Sequence, residues 1–404
     1  MSHSSDLMIS PVSDALAGLT LDVIVSGSIG AVESVRFIRS LRRLVARTIP
    51  WLTKGGSQFT TETALSWASG GEVVRLGFEG KASHLAESDA VVLAPASASM
   101  VAKIAQGHTD EASTALVSSA MGAGIPVLGV ANMHDSLMNS PIYQRNLKSV
   151  ESYIDFIKPR VEEGKQKFPE PSELANEVSH RIRKKRRSRN HSVLVTMGST
   201  KGYFDKIRYL SNYSSGALGS SISEELYRLG LDTFVVAGSC PVLPKVYTQL
   251  IVAEENHLME EKALEIMDQG ASAAVVAASV LDFLPETCEP GKIRSADHDR
   301  LEVAMIRTHK IIERLKPSAG IKVGFKLEVG LDDQQARSIA CDYMKRYQLS
   351  QFVMNDLGDV SRTNHKARVF SRSDNDDKTD FISVSGKQSL GNFIARHVSG
   401  SLES

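Results

Sequence analysis

Cysteine is scarce. The 404 residues hold three, Cys240, Cys288 and Cys341, with no CxxC and no paired spacing. That argues against a disulfide scaffold and a cysteine-based zinc site, and fits a reducing cytoplasm. Net charge is lacking as well, since 47 Lys and Arg balance 47 Asp and Glu. No whole-chain field therefore points to nucleic acid or a membrane surface as the main partner. No apolar run approaches the roughly 20 residues that span a bilayer. The N-terminal stretch MSHSSDLMISPVSDALAGL lacks the basic region and continuous apolar core of a signal peptide. These absences predict a soluble, cytoplasmic protein with no membrane or nucleic-acid partner.

What is present is ordinary for a globular chain: 42% hydrophobic and 23% charged residues, with length enough for two domains. Short apolar runs alternate with helical patterns. Leu21 to Val25 reads as a buried strand, and the helical pattern after it has apolar residues at Val32, Val35, Ile38, Leu41 and Val45. Further strands are expected at Ala90 to Ala96 and Ile125 to Ala131. The pattern restarts at Ser192 to Ser199, with a helix at SSISEELYRLG and strands at LDTFVVAGS, AAVVAAS, KVGF and QFVMN. Strand–helix alternation predicts α/β architecture with two doubly wound, Rossmann-like domains of parallel sheet. The expected division is a first domain over 1–170, a linker over 171–191 and a second domain over 192–404. Arg181 to Arg189 is dense in Arg and Lys without interleaved aromatics, which reads as a solvated basic linker that resists packing.

In the first half, the turn Ser26-Gly27-Ser28-Ile29-Gly30 follows a strand and opens a helix. Such a turn offers free N–H groups and a positive helix end to a phosphate. A lone His84 precedes the strand that ends in Ala94-Pro95-Ala96-Ser97-Ala98-Ser99, small residues that let a flat ring approach the backbone at a sheet's carboxyl edge. A third such strand ends in Ala131-Asn132-Met133-His134.

In order along residues 20–168, GSIGAV, LTKGGSQF, His84, APASAS, KIAQGHTD, ANMH and SPIYQRN resemble the flavoprotein family of cysteine decarboxylases. The resemblance implies FMN as cofactor. Gly27, Ser28 and Thr53 would hold its phosphate and ribityl, Ser97, Ser99 and Met133 would line the flavin, and His84 would be the catalytic histidine. The chain departs from the family pattern twice. His134 stands where most members have an asparagine that holds the substrate carboxylate. No cysteine occurs before Cys240, so the flap reads FIKPRVEEGKQKF with Lys165 and Lys167 and no thiol. In the implied chemistry the cysteinyl thiol is oxidised by the flavin, which creates an electron sink for loss of carbon dioxide, and an acid such as His84 manages the proton.

In the second half, VLVTMGSTKGYFDKIRYLSNYSSGALGSSISEEL sets Gly198, Ser199 and Thr200 in a turn after a strand. Asp205, Arg208 and Asn212 follow, then Ser214, Ser215 and Gly216 at a helix start. Hydroxyls, a glycine and free N–H groups at such a place suit phosphate. N-capping by Ser214 or Ser215 is the bland reading of the same residues. The run is similar to the phosphopantothenate–cysteine ligase signature, and AASVLDF, Lys292-Ile293, VGFKLE and FVMNDL extend the match over residues 191–360. The resemblance implies that Arg208 and Asn212 handle an acyl-nucleotide intermediate and that Lys292 neutralises triphosphate charge. Ser214, Ser215 and Gly216 would cradle phosphates, while Asp282 and Phe325 would hold base and ribose. Mg²⁺ or Mn²⁺ would bridge phosphate oxygens with few protein ligands, so its protein ligands stay unassigned. Ala217 and Tyr347 stand where the family usually has lysines, which would either weaken triphosphate binding or leave the work to Lys201, Lys206 or Lys345.

Joined in one chain, the two resemblances imply coenzyme A biosynthesis. CTP-dependent ligation of 4'-phosphopantothenate with cysteine would be followed by FMN-dependent decarboxylation to 4'-phosphopantetheine, in a homo-oligomer. The sequence by itself does not separate CTP from ATP. Two alternatives keep the ligase: a first half with other flavin chemistry, such as prenyl transfer to FMN, or a degenerate first half that only binds or regulates.

Overall fold

A computed structural model describes residues 8–71, 73–74, 87–294, 296, 299–360, 365–372 and 380–403. The chain forms two compact units, divided between Lys185 and Arg186.

The first unit carries five parallel strands, β1 (Thr20–Val25), β2 (Arg47–Leu52), β3 (Ala90–Ala96), β4 (Val127–Ala131) and β5 (Ile154–Phe156), in the order β2-β1-β3-β4-β5. Every residue of β3 and β4 is buried, which explains why these strands read as unbroken apolar runs: a parallel sheet is covered on both faces. Leu21, Val23 and Val25 pack with Phe37, Ile38 and Leu41 of the helix Ser34–Arg43. On the other face, Ile24, Val91 and Leu93 meet Met100, Val101 and Ile104 of the helix Ala98–Ala105. After β5 comes a hairpin of β6 (Arg160–Glu162) and β7 (Lys165–Lys167), closed by Glu163 and Gly164 at φ 52° and 72°. Two successive positive φ values give a turn whose twist matches its strands.

Two expectations need correction here. The helical face drawn through Val32, Val35, Ile38, Leu41 and Val45 is not continuous. Residues Ile29–Glu33 form a 3-10 turn, and Val32 and Val45 are exposed. The tighter turn shifts the phase, so Phe37 takes the buried place instead. The stretch 171–191 is also not a solvated linker over most of its length. Pro171–Arg186 is a helix, and its Leu174, Ala175, Val178 and Ile182 are buried in the core with Leu21 and Val23. Lys185 and Arg186 are exposed, while Arg181 bonds to Glu177 and Asp155 and Arg183 to Ala15 O, so the apolar stripe packs and charge density along the sequence did not prevent burial.

The second unit begins with β8 (Ser192–Met197). A hairpin of β9 (Lys201–Tyr203) and β10 (Tyr209–Ser211) follows, then β11 (Asp232–Ala237), β12 (Gln249–Val252) and β13 (Ala273–Val276). A second hairpin joins β14 (Phe283–Pro285) to β15 (Met305–Arg307). Then come β16 (Ile321–Glu328), β17 (Gln351–Val360), β18 (His365–Ser371) and β19 (Phe381–Ser385). The main sheet runs β12-β11-β8-β13-β16-β17-β18-β19, parallel through β17 and antiparallel after it. Val193, Val195 and Val275 pack under Ile222 and Leu226 of the helix Ala217–Arg228 and under Leu390, Ile394 and Val398 of the helix Lys387–Ser401. These two helices approach so closely that a Cβ on Gly391 would lie 2.3 Å from Ser221 Oγ. Leu194, Val236 and Ala274 face Met259, Ala263 and Ile266 on the opposite side. None of the described helices is long and apolar enough to cross a membrane.

Ile182→Ala tests where the helix Pro171–Arg186 belongs. Truncating this fully buried side chain is expected to cost the first unit about 2–4 kcal/mol, read as faster amide hydrogen exchange in β1 and β3. A solvated linker would leave that exchange unchanged.

Candidate functional site

Each sheet has one place where the chain, having built strands to one side, crosses to the other. In the first unit it lies between β1 and β3, in the second between β8 and β13. Loops diverge there at the carboxyl edge and leave a crevice.

In the first unit the four loops at that edge are stitched together. Ser26 Oγ donates to Pro95 O at 2.7 Å and accepts from Ser97 N–H at 2.8 Å. Thr53 Oγ1 donates to Val25 O and accepts from Gly56 N–H, both at 3.1 Å. A Cβ on Gly27 would lie 2.9 Å from Gly55 Cα, so the turns after β1 and β2 cross backbone to backbone. Ser28 caps the turn Ile29–Glu33 and donates to Asn132 Oδ1 at 2.6 Å. Ser97 caps the helix Ala98–Ala105 by accepting from Met100 N–H at 3.3 Å, and Ser99 is exposed on its first turn. The structure thus brings Gly27, Ser28, Thr53 and Ser97 to one edge and uses the hydroxyls of the last three first to hold the loops.

Beside them is a cleft of ≈ 670 Å³ between residues 29–33, the loop 132–135 and the β6–β7 hairpin. Ile29, Val32 and Met133 give it apolar walls; Asn132, His134 and Lys165 give it polar ones. Sequence reasoning passed over Asn132, although it adjoins Met133. Only 6% exposed, it accepts from Ser28 Oγ and from Gly30 N–H at 3.1 Å through Oδ1. Its amide nitrogen keeps no partner among the described residues. His134 caps the short helix Asp135–Met138, with Nδ1 accepting from Ser136 N–H at 3.2 Å. A backbone N–H only donates, so the neutral ring carries its proton on Nε2, which is then a donor. Lys167 pairs with Glu162 at 3.0 Å, whereas Lys165 has no partner among the described residues. His84 lies outside the described residues.

In the second unit the organising group is Asp205, which is fully buried. Burial would raise its pKa, but N–H groups of Arg208, Ile207 and Ile293 and the Arg208 guanidinium outweigh that and bring it to about 2. The amide contacts measure 2.6, 2.7 and 3.2 Å and the guanidinium contact 2.6 Å. Arg208 Nη1 also donates to Ile293 O at 3.0 Å. Its guanidinium is therefore engaged in fastening the segment that carries Lys292. Lys292 itself is exposed and has no partner among the described residues. Asn212 is exposed and donates to Val280 O at 3.4 Å.

At the helix Ala217–Arg228 the cap residue is Gly216 at φ 74°, and Ser215 Oγ, one residue earlier, accepts from Ala217 N–H at 3.4 Å. A Cβ on Gly216 would lie 2.5 Å from Val242 O, so glycine is required twice over, by conformation and by space. The first turn keeps backbone N–H groups for another acceptor. Asp282 is held by Lys310 Nζ at 2.5 Å, and Phe325 is half-buried on β16. Asn212, Ser214, Ser215 and Gly216 follow directly on β10, at one edge. Among the described residues, no group of three His, Cys, Asp or Glu is placed to hold a metal ion.

A flavoprotein family model matches residues 9–183, and one for the DNA/pantothenate metabolism flavoprotein C-terminal domain matches residues 188–401. The chain is 31% identical to a coenzyme A biosynthesis bifunctional protein CoaBC of Thermococcus kodakarensis over 88% of its own length and 90% of that protein's. It is 27% identical to the protein of that name from Methanocaldococcus jannaschii, with 88% of each covered. The Haemophilus influenzae protein is 26% identical over 85% of this chain and 88% of its own. With both halves matched in order and nearly full length shared, the chain belongs to the family of coenzyme A biosynthesis bifunctional proteins.

Proposed function

We propose that the second unit joins 4'-phosphopantothenate to cysteine with CTP, and that the first unit decarboxylates the phosphopantothenoylcysteine so formed. The observation that carries this reading is the shared length: one chain keeps both halves of the bifunctional relatives in order, each half with its own carboxyl-edge crevice. The substrates chain naturally, since the product of one half feeds the other. Mg²⁺ or Mn²⁺ belongs to the reading as a nucleotide-bound ion, and a homo-oligomer as its assembly.

FMN suits the first unit. Ile29, Val32 and Met133 would give a flat ring apolar walls, and the amide nitrogen of Asn132 would offer it a donor. Gly27, Ser28, Thr53, Ser97, Ser99 and Met133 would hold it. FMN, when bound, would take two electrons from the cysteinyl thiol, so that the oxidised carbon–sulfur group becomes the sink for the electrons of the departing carboxylate, and would return those two electrons to the decarboxylated product. The residues of the chain do the rest. His134 Nε2–H donates to the substrate carboxylate and Lys165 adds positive charge in the same cleft. His84 handles the proton.

In the ligase, the substrate carboxylate attacks the α-phosphate of CTP and pyrophosphate leaves; the cysteine amine then attacks the acyl carbon and the nucleotide monophosphate leaves. Lys292 stabilises charge in the first step, as a mobile ammonium suits a developing polyanion. Asn212 orients and polarises the acyl carbonyl in the second.

Three outcomes test the reading. His84→Asn is expected to abolish decarboxylation while flavin absorbance stays with the purified protein; normal turnover would remove the histidine from the mechanism. His134→Asn should keep much of the decarboxylase activity. His134→Leu should lose it, because the carboxylate then faces an unpaired apolar wall; near-normal rates in the leucine variant would exclude carboxylate binding there. In the ligase, Lys292→Gln should block acyl-nucleotide formation, whereas Asn212→Asp should let it accumulate without transfer to cysteine. Mass spectrometry before and after cysteine is added separates the two, and a stall of both variants before the intermediate would refute the division of roles.

A further inference from the structure

We propose that the carboxamide of Asn132 donates a hydrogen bond to the isoalloxazine ring of FMN and thereby tunes the ring's reduction potential. The proposal rests on the flavin reading of the first unit and adds to it the residue that sets how strongly the bound ring draws electrons.

Asn132 is fixed before any ligand arrives. Its backbone N–H donates to Ala96 O, at the end of β3, at 3.3 Å. Its Oδ1 accepts from Ser28 Oγ at 2.6 Å and from Gly30 N–H at 3.1 Å. A backbone N–H only donates, so the atom that faces Gly30 is the carbonyl oxygen and the amide can sit one way round only. The fit there is tight. A Cβ on Gly30 would lie 2.6 Å from Asn132 Oδ1 and 3.0 Å from Phe168 Cδ2, so glycine is what admits the carboxamide. With the oxygen committed, both N–H bonds of Nδ2 are left without a partner among the described residues, on a residue that lines the cleft.

The other groups of the cleft say which part of FMN those N–H bonds meet. Arg36 is tied to Glu33 and Glu170, while Arg160 and Lys167 share Glu162. His134 and Lys165 are exposed and open to a substrate that arrives from solvent. Asn132, alone among these donors, is buried, and it adjoins Met133, which forms the apolar walls with Ile29 and Val32. Apolar walls suit a flat ring, not the hydroxyls of a ribityl chain or the charge of a phosphate. A donor set among them therefore meets a ring acceptor. Two-electron reduction adds negative charge to the acceptor edge of the ring, and charge-assisted hydrogen bonds are the stronger kind. A fixed donor thus holds the reduced ring more tightly than the oxidised one, without reorganising to do so. The ring's potential rises, which favours oxidation of the substrate thiol.

The test uses the full chain, stripped of flavin and refilled with FMN. Asn132→Asp keeps an oxygen for Ser28 and Gly30 but exchanges the donor for a second oxygen. Its apo form is expected to melt near wild type. Affinity for oxidised FMN should fall a few-fold and affinity for reduced FMN about tenfold further, read in a dye-coupled titration as a potential about 30 mV more negative. Equal potentials in variant and wild type would overturn the proposal whatever the affinity did, because the contact would then lie off the ring. An apo variant that melts far below wild type would overturn it too, by making the carboxamide only a strut of the loops. A wild-type chain that takes up no FMN would refute the flavin reading itself, and this proposal with it.

Discussion

The second unit's active edge depends on one buried carboxylate. Asp205 has no access to solvent, and it stays ionised because three backbone N–H groups and one guanidinium converge on its two oxygens. Remove it and the turn 204–208 loses its centre, while the segment 289–293 loses a fastening. Its folded pKa of about 2 lies below the ordinary value near 4. The stabilisation is therefore complete above the ordinary value and fades as pH falls through about 2. At neutral pH the clamp is permanently set, which suits a part whose task is to hold a lysine in place and not to titrate.

The same logic gives Arg208 a second task beside the one its signature suggests. The resemblance gives it the acyl intermediate, and its Nη1 is in addition bound to Asp205 and Ile293. A residue fixed in a motif is as readily fixed for geometry as for chemistry, and sequence cannot tell these apart. The first unit offers the parallel case. Ser28, Thr53 and Ser97 were singled out as ligand-facing hydroxyls, and each also makes a bond that holds its own loop.

Much of the architecture was legible because parallel strands buried on both faces leave continuous apolar runs: β3, β4, β8, β11 and β13 fall within segments read as strands, and β1 extends its segment by one residue. The misses have physical causes. Arg181 to Arg186 continues a helix whose buried stripe is spaced too widely to register in a count of local charge. The 3-10 turn Ile29–Glu33 breaks a period that looked regular through Val32. Asn132 was invisible because its importance lies in Ser28 and Gly30, which are far away in sequence and reached only across the sheet. The strand-and-loop plan of each crevice was readable; the bonds among its loops were not.

The helix Lys387–Ser401 carries a consequence for how the protein comes into being. Its Leu390, Ile394 and Val398 fill the same core as Val193 and Val195, which belong to the first strand of that unit. A chain emerging from the ribosome can close the first unit's core once residues 171–186 are out, since those supply its last apolar face. The second unit has no such early closure. Its opening strand must wait, with one face exposed, through nearly the whole synthesis of the unit, and that interval is when chaperones have most to do.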